Sequence, residues 1–590
     1  MEGRWNLDDL YTSFDSSEFK CDMEKLDLKV KEINNWAKEK LTDNSNPQQV
    51  LEEYIDQHAE IYSLIVKLMA FGNLSLSTDA KNQEAANAIE KLQMKMTELT
   101  FATVAFKEWL GSLENLDEIL DSTEKLKEHK FYFQELELQN KYTLSKEKEE
   151  VIAKMKNTGS SAWSKLQNNL TSTLTVEIEE NKDKKKYPLP VVRNMAFSKD
   201  SKVRKKAYIA ELKSYEKIEE SSAAALNAIK GEVITVSKMR GFKSPLEETL
   251  IQSRMDQETL DAMLQAIQES LPIFHKYYKK KGELLGHKNG VPFYDMFAPV
   301  GSVETTFSYK EAQEFILEQF DTFSSKLAEF AKHAFDNNWL DIEPREGKRG
   351  GAFCSNLHPI KQSRILSNFT GSLSDVGTLA HELGHGYHGQ CLYEESMLNS
   401  SYPMPLAETA SIFCETIVSN AVLKEASDKE AIGILEGSIS QSGQVIADIY
   451  SRYYFESKLF EKRKESSLSV DELKEIMLEA QRKAYGDGLD HDYLHPYMWV
   501  CKPHYYSAGR SFYNFPYSFG LLFSLGIYAQ YLEEGEAFVE KYDKLLSLTG
   551  KNTIADVAAM VGIDVRSVDF WRSSLNIIAK DIDKFLELVE

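Results

Sequence analysis

Two imidazoles and one carboxylate stand within five residues in the run His381-Glu382-Leu383-Gly384-His385. Residues four apart on an α-helix share a face and lie about 6 Å apart along its axis, so His381 and His385 can turn their rings toward one ion. Neutral imidazole is a good ligand for Zn²⁺, and Glu382, one residue after the first histidine, is placed to take a proton from water at the metal.

A catalytic zinc needs a third protein ligand and one open position. A histidine six residues after His385 would supply it in one zinc-hydrolase pattern, but Cys391 stands there. The remaining candidates are Glu394, Glu395, Glu408 and Glu415. The first two follow too closely to reach back. Pro403 and Pro405 break the chain, and Leu406–Val418 then reads as a second helix carrying Glu408 in its first turns and Glu415 two turns later. Glu408 is the expected third ligand. Glu415 is placed to accept the N–H of a ligating histidine and fix its tautomer. The whole reads as the zinc site of a metallopeptidase.

Local signals support the helix that must hold these groups. Ser372 or Ser374 offers an N-cap, Asp375 suits the positive helix end, and Val376, Leu379, Ala380 and Leu383 form an apolar stripe. Gly384 and Gly386 cost about 1 kcal/mol each relative to alanine, a cost offset where another backbone packs close. Ahead of this helix the helical pattern fails between Asp336 and Phe369, leaving β-prone pieces near Ala352–Asn356 and Arg364–Phe369. A small sheet is expected there, with an edge able to pair with an extended peptide.

The His381 motif with His388, the run Ile365–Gly371, and Glu408 with Glu415 resemble the oligoendopeptidase F branch of the thimet-oligopeptidase-like zinc metallopeptidases. Trp5–Tyr11, Gly350–Phe353, His504-Tyr505-Tyr506 and Phe512–Gly520 extend the resemblance over nearly the whole chain. It implies a mainly α, two-lobed fold with a small β-sheet beside the zinc helix and a deep central cleft admitting flexible oligopeptides. It also implies one Zn²⁺ per chain held by His381, His385 and Glu408, with Glu382 as general base. A late histidine and tyrosine assist the transition state, and these fall on His504 and on Tyr513, with Tyr517 as the alternative. Cleavage of internal bonds is the expected activity. A zinc carboxypeptidase or dipeptidyl carboxypeptidase with the same ligands is the alternative.

Around His504 the density of His491, His495, Tyr493, Tyr497, Tyr505, Tyr506, Tyr513 and Tyr517, with Gly486 and Gly488 nearby, suggests a wall that hydrogen-bonds a substrate carbonyl. Arg510 and Gly509 are further candidates for contacting peptide backbone.

A chain of 590 residues exceeds one ordinary domain. Seventy basic against 92 acidic residues give a net charge of −22, which argues against nucleic acid or an anionic membrane surface as partner. The five cysteines are scattered and odd in number, as expected of free thiols in a reducing compartment. With no basic-then-apolar leader in Met1–Asp8 and no uninterrupted apolar run of spanning length, a cytoplasmic location is expected. Charged helices with three- and four-residue apolar spacing fill Ser17 to about Lys156, and a hairpin is expected near Thr171–Val192 with Asn181-Lys182-Asp183 as its turn. The boundary drawn there separates a helical N-terminal lobe, residues 1–192, from a zinc peptidase domain, residues 193–590. Helices resume from about Ser201, and Ser308 with Glu311 and Ser469 with Glu472 read as capping boxes. The C-terminal piece, with Val557, Met560, Val561 and Val568–Ile578, reads as packed closing helices.

Overall fold

The computed structural model describes residues 3–180 and 183–590, so Met1, Glu2 and the expected turn residues Asn181 and Lys182 lie outside it. The chain is mainly helical, with five short strands among the described residues: β1 (Thr175–Glu180), β2 (Asp183–Pro188), β3 (Leu340–Asp341), β4 (Phe353–Leu357) and β5 (Gln362–Leu366). It divides into two compact units, each assembled from three chain segments.

The first unit comprises residues 3–142, 305–421 and 530–562. Its N-terminal helices, Ser17–Lys40 and Pro47–Thr78 foremost, pack a core of Leu26, Val30, Leu51, Tyr54, Leu68 and Phe106. That core also takes in Leu357 and Leu398 from the middle of the chain. The sheet here runs in the order β3-β5-β4. β4 pairs antiparallel with β5 from Phe353↔Leu366 to Leu357↔Gln362, and two-residue β3, not foreseen in the sequence, pairs parallel with β5. β3 and β4 lie at the two edges of this sheet.

The second unit comprises residues 143–304, 422–529 and 563–590. β1 and β2 form its antiparallel hairpin. The hairpin is shorter than the 171–192 span expected: Ser160–Thr173 and Leu189–Asn194 are helical. Proline at position 190, in the first turn of a helix, costs no hydrogen bond, which explains why a proline-flanked segment coils. The core is built on Leu226, Ile229, Phe455, Leu473 and Trp499. Both expected capping boxes, at Ser308 in the first unit and Ser469 in the second, form with both reciprocal bonds. Met560, expected in the closing core, is 47% exposed, whereas Val557 and Val561 are buried.

Two stretches, Pro47–Thr78 and Met404–Glu425, are long and apolar enough to cross a membrane by length and composition. Polar residues interrupt both stretches, Lys67 and Asn73 in the first and Glu408 and Glu415 in the second, so neither is an uninterrupted apolar run. Both stretches carry core residues of the fold, among them Leu68 and Phe413.

Candidate metal centre

The helix Leu373–Cys391 begins with a reciprocal cap. Ser372 Oγ accepts from the Asp375 N–H at 3.2 Å, and the Asp375 carboxylate accepts from the Ser372 N–H at 3.1 Å. The same carboxylate accepts from the N–H and the hydroxyl of Thr370 at 2.8 and 2.7 Å, so the start of the helix is pinned and its register with it. Val376, Leu379 and Leu383 are fully buried on one stripe. Gly384 lies against the backbone of Ala410 and Ser411: a Cβ there would sit 2.5 Å from the Ala410 carbonyl oxygen and 2.7 Å from Ser411 Cα.

That close approach brings in Glu408. The expected continuous helix from Leu406 is interrupted, because Met404–Ala407 and Thr409–Glu425 are separate helices with Glu408 at the break. Glu408 Oε2 lies 3.2 Å from His381 Nε2 and 3.6 Å from His385 Nε2. Ser411 Oγ donates to the same oxygen at 2.9 Å. Across the ring of His381, Nδ1 is 3.1 Å from Glu415 Oε2. Among the described residues, His381, His385 and Glu408 form the one such cluster, with ligand atoms all within 4.8 Å of one another.

Charge in this cluster favours a cation. Burial opposes protonation of His381, but the carboxylates of Glu408 and Glu415 outweigh it and raise the imidazole to about 10. Burial also opposes ionisation of Glu408, yet the two imidazoles and Ser411 bring it down to about 2. His385 is pushed down to about 4 by burial and by the charge of His381. Glu382 is 6% exposed and its Oε2 has no hydrogen-bond partner. Burial raises its carboxyl to about 7, against the pull of His381 and of the Cys354 backbone amide on β4.

In the second unit His504 stands in a short turn, Pro503–Tyr506. Its ring centroid is 6.3 Å from that of Tyr513, whose hydroxyl is 3.0 Å from the Tyr517 hydroxyl. Arg510 stacks over the Tyr513 ring at 5.2 Å. Nε2 of His504 is buried without a partner. Burial, then the charges of Arg452, Lys502 and Lys230, push this imidazole down to about 3, so it is neutral at neutral pH.

The remaining histidines and tyrosines of this region do not form the expected hydrogen-bonding wall. His491 Nε2 meets the Gly486 carbonyl oxygen at 2.8 Å, Tyr497 donates to Glu219 at 2.7 Å, and Tyr505 and Tyr506 are fully buried in the core. Gly486 and Gly488 are there because a Cβ at either would strike His275. Much of the aromatic density here is core packing: the hydroxyls of Tyr505 and Tyr506 are buried without a hydrogen-bond partner.

The profile described as Peptidase family M3 matches residues 194–577, more than half of the chain, and a second, Oligopeptidase F, matches residues 112–175. The chain belongs to peptidase family M3. An oligoendopeptidase F homologue of Lactococcus lactis is 23% identical over 99% of this chain and 97% of its own length. Among solved structures, a protein from Chlamydophila abortus described as a peptidase aligns with a TM-score of 0.87 and 20% identity, covering 99% of this chain and 98% of that one. Oligoendopeptidase-F from Enterococcus faecium aligns with a TM-score of 0.70 and 18% identity, covering 97% and 99%.

For an M3 peptidase, a metallopeptidase family, the donor set fits a divalent transition-metal ion. Tetrahedral bonds of 2.0–2.2 Å set ligand atoms about 3.4 Å apart, which the 3.2 and 3.6 Å separations match. Three donors leave a position open, and the unpartnered Glu382 oxygen lies on the same helix. Asp448 and Arg452, which set the charge around His504, were not singled out in the sequence. Asp448 closes a π-helical turn, Gln444–Asp448, a feature with no local sequence signal.

Proposed function

We propose that this M3 peptidase is a zinc-dependent endopeptidase that hydrolyses internal bonds of short unstructured oligopeptides. The observation carrying the proposal is the convergence of His381, His385 and Glu408 beside a buried, unpartnered Glu382 carboxylate. Bound Zn²⁺ would supply Lewis acidity toward the scissile carbonyl and toward a water molecule.

The side chains then have distinct tasks. His381 and His385 present Nε2 and Glu408 presents Oε2 to the ion, while Glu415 accepts the Nδ1–H of His381 and holds that ring in one tautomer. Glu382 takes the proton of the attacking water and passes it to the nitrogen of the leaving amine. Its burial supports this role, because a desolvated carboxylate is a stronger base. We assign His504 and Tyr513 to the carbonyl oxygen as it gains charge, with Tyr517 supporting the Tyr513 hydroxyl. The neutral His504 ring with an unpartnered Nε2 supports that assignment. Residues 193–590, which contain all of these groups, are proposed as the catalytic domain, and residues 1–192 as the lobe preceding it. Five free thiols support action in a reducing interior such as the cytoplasm.

The test is hydrolysis of an internally quenched peptide blocked at both ends, before and after chelation and after zinc is restored. Internal cleavage that the chelator abolishes and zinc restores is expected. Glu382→Gln should keep zinc bound while turnover falls by a factor on the order of 10² to 10⁴. Trimming of a free-ended peptide without cleavage of the blocked one would replace this proposal with a carboxypeptidase.

A further inference from the structure

We propose that a cavity in the second unit is a subsite for a carboxylate group of the peptide substrate, with the Lys502 ammonium as its partner. This rests on the peptidase reading and adds what that reading leaves open, the chemistry selected beyond the scissile bond.

The cavity has a volume of about 650 Å³. Leu189, Phe197, Phe293 and Phe297 line its apolar part. Its charged side chains mostly neutralise one another. Arg193 Nε is 3.3 Å from Glu211 Oε1, Arg204 Nε is 2.6 Å from Asp295 Oδ1, and Arg452 is paired with Asp448. Lys502 lines the same cavity, and its ammonium makes no ion pair or hydrogen bond with any described residue; the nearest opposing charge, Asp448, is already paired with Arg452. One cation is therefore left over in a partly apolar recess, within a chain whose net charge is −22. An ammonium drawn from water without a counter-ion is costly, so the recess favours an anion that supplies one.

Three further donors are held ready. Arg452 Nε is buried without a partner. His495 is 1% exposed; its Nε2 lies 3.5 Å from Glu211 Oε1, and its Nδ1 has no hydrogen-bond partner. Gln444, exposed and lining the cavity, opens the π-helical turn that also places Asp448 there, and such turns recur at functional sites. A single unpaired ammonium with dispersed further donors matches a carboxylate, whereas a phosphate calls for several converging unpaired cations. The apolar wall accommodates the side chain next to that carboxylate. Pro503 also lines the cavity and His504 follows it directly, so the carboxylate sits on a stretch of peptide near the residue assigned to the reacting carbonyl.

The carboxylate can be the C-terminus of the peptide or an Asp or Glu side chain, and the experiment separates them. Three N-terminally labelled peptides of one neutral sequence are compared: free C-terminal acid, C-terminal amide, and amide with one internal Glu. Binding is measured by fluorescence anisotropy on the full-length chain carrying Glu382→Gln, so that the peptides stay intact. The free acid, the internal Glu peptide, or both should bind at least about tenfold more tightly than the neutral amide. Adding Lys502→Gln should bring the constants together, and Lys502→Arg should restore the difference. Equal binding of all three peptides, binding by none, or a preference that survives Lys502→Gln overturns the proposal. Failure of the peptidase reading shows separately, as a preference in binding without cleavage by the unaltered chain.

Discussion

His381 has two acidic neighbours, Glu408 at Nε2 and Glu415 at Nδ1, to which the proposed zinc site gives different tasks. Glu415→Ala should leave the three ligands in place and weaken zinc binding tenfold to a hundredfold, the usual cost of losing such a partner. Competition with a chelator of known affinity measures this, and unchanged affinity would remove Glu415 from the site. His58 offers a test away from the metal. Its ring stacks on Tyr54 at 4.7 Å, Nδ1 has no partner, and burial brings it down to about 4 from the ordinary 6.5. The unfolded chain therefore binds the proton more readily, and stability is full above pH 6.5 and falls as pH drops toward 4. The loss amounts to about 3 kcal/mol at most. His58→Phe should flatten the acid limb of a plot of denaturation midpoint against pH. The clustering of His381 with His385 was legible in the sequence because helical spacing alone puts them on one face. Lys502 and Arg452 were not, since their importance lies in which neighbours do or do not pair with them.

At the scale of elements, the centre depends on how closely the Leu373–Cys391 helix meets the Ala410–Ser411 backbone. Gly384→Ala places a methyl group against that backbone, where the atoms cannot rotate away. A destabilisation of about 1–3 kcal/mol is expected, together with weaker zinc binding as Glu408 is pushed back. Thermal unfolding with and without zinc separates the two effects, and a fully stable variant with normal affinity would show that the contact is looser than described. Much at this scale was readable: the Ser372 cap, both serine capping boxes and the two longer strands of the sheet all announce themselves within a few residues. The break at Glu408 was not, because the run after Pro405 has continuous helical character and only the packing against Gly384 interrupts it. Two-residue β3 is too short to carry any periodic signal.

At the scale of the molecule, the helices of residues 17–133 share one hydrophobic core with Leu357 and Leu398, which flank the helix of His381 and His385 in sequence. Deleting residues 1–142 should therefore leave that core open. The shortened chain is expected to aggregate or to bind zinc at well below one equivalent, as circular dichroism and metal analysis would show. A stable, zinc-replete fragment would mean that these helices are dispensable to the site. The C-terminal segment of the first unit matters as well. The Tyr387 hydroxyl donates to Asp543, and His388 Nε2 meets Thr549 Oγ1 at 2.9 Å, so the ligand helix is braced by residues more than 150 positions later. The order of biosynthesis follows from that bracing. A ribosome makes the proposed metal ligands before the segment that secures their helix, and at 5–20 residues per second the last brace leaves it roughly half a minute to two minutes after initiation. Metal capture is thereby deferred until translation is nearly finished, and nascent chains arrested before Asp543 should emerge unable to retain the ion.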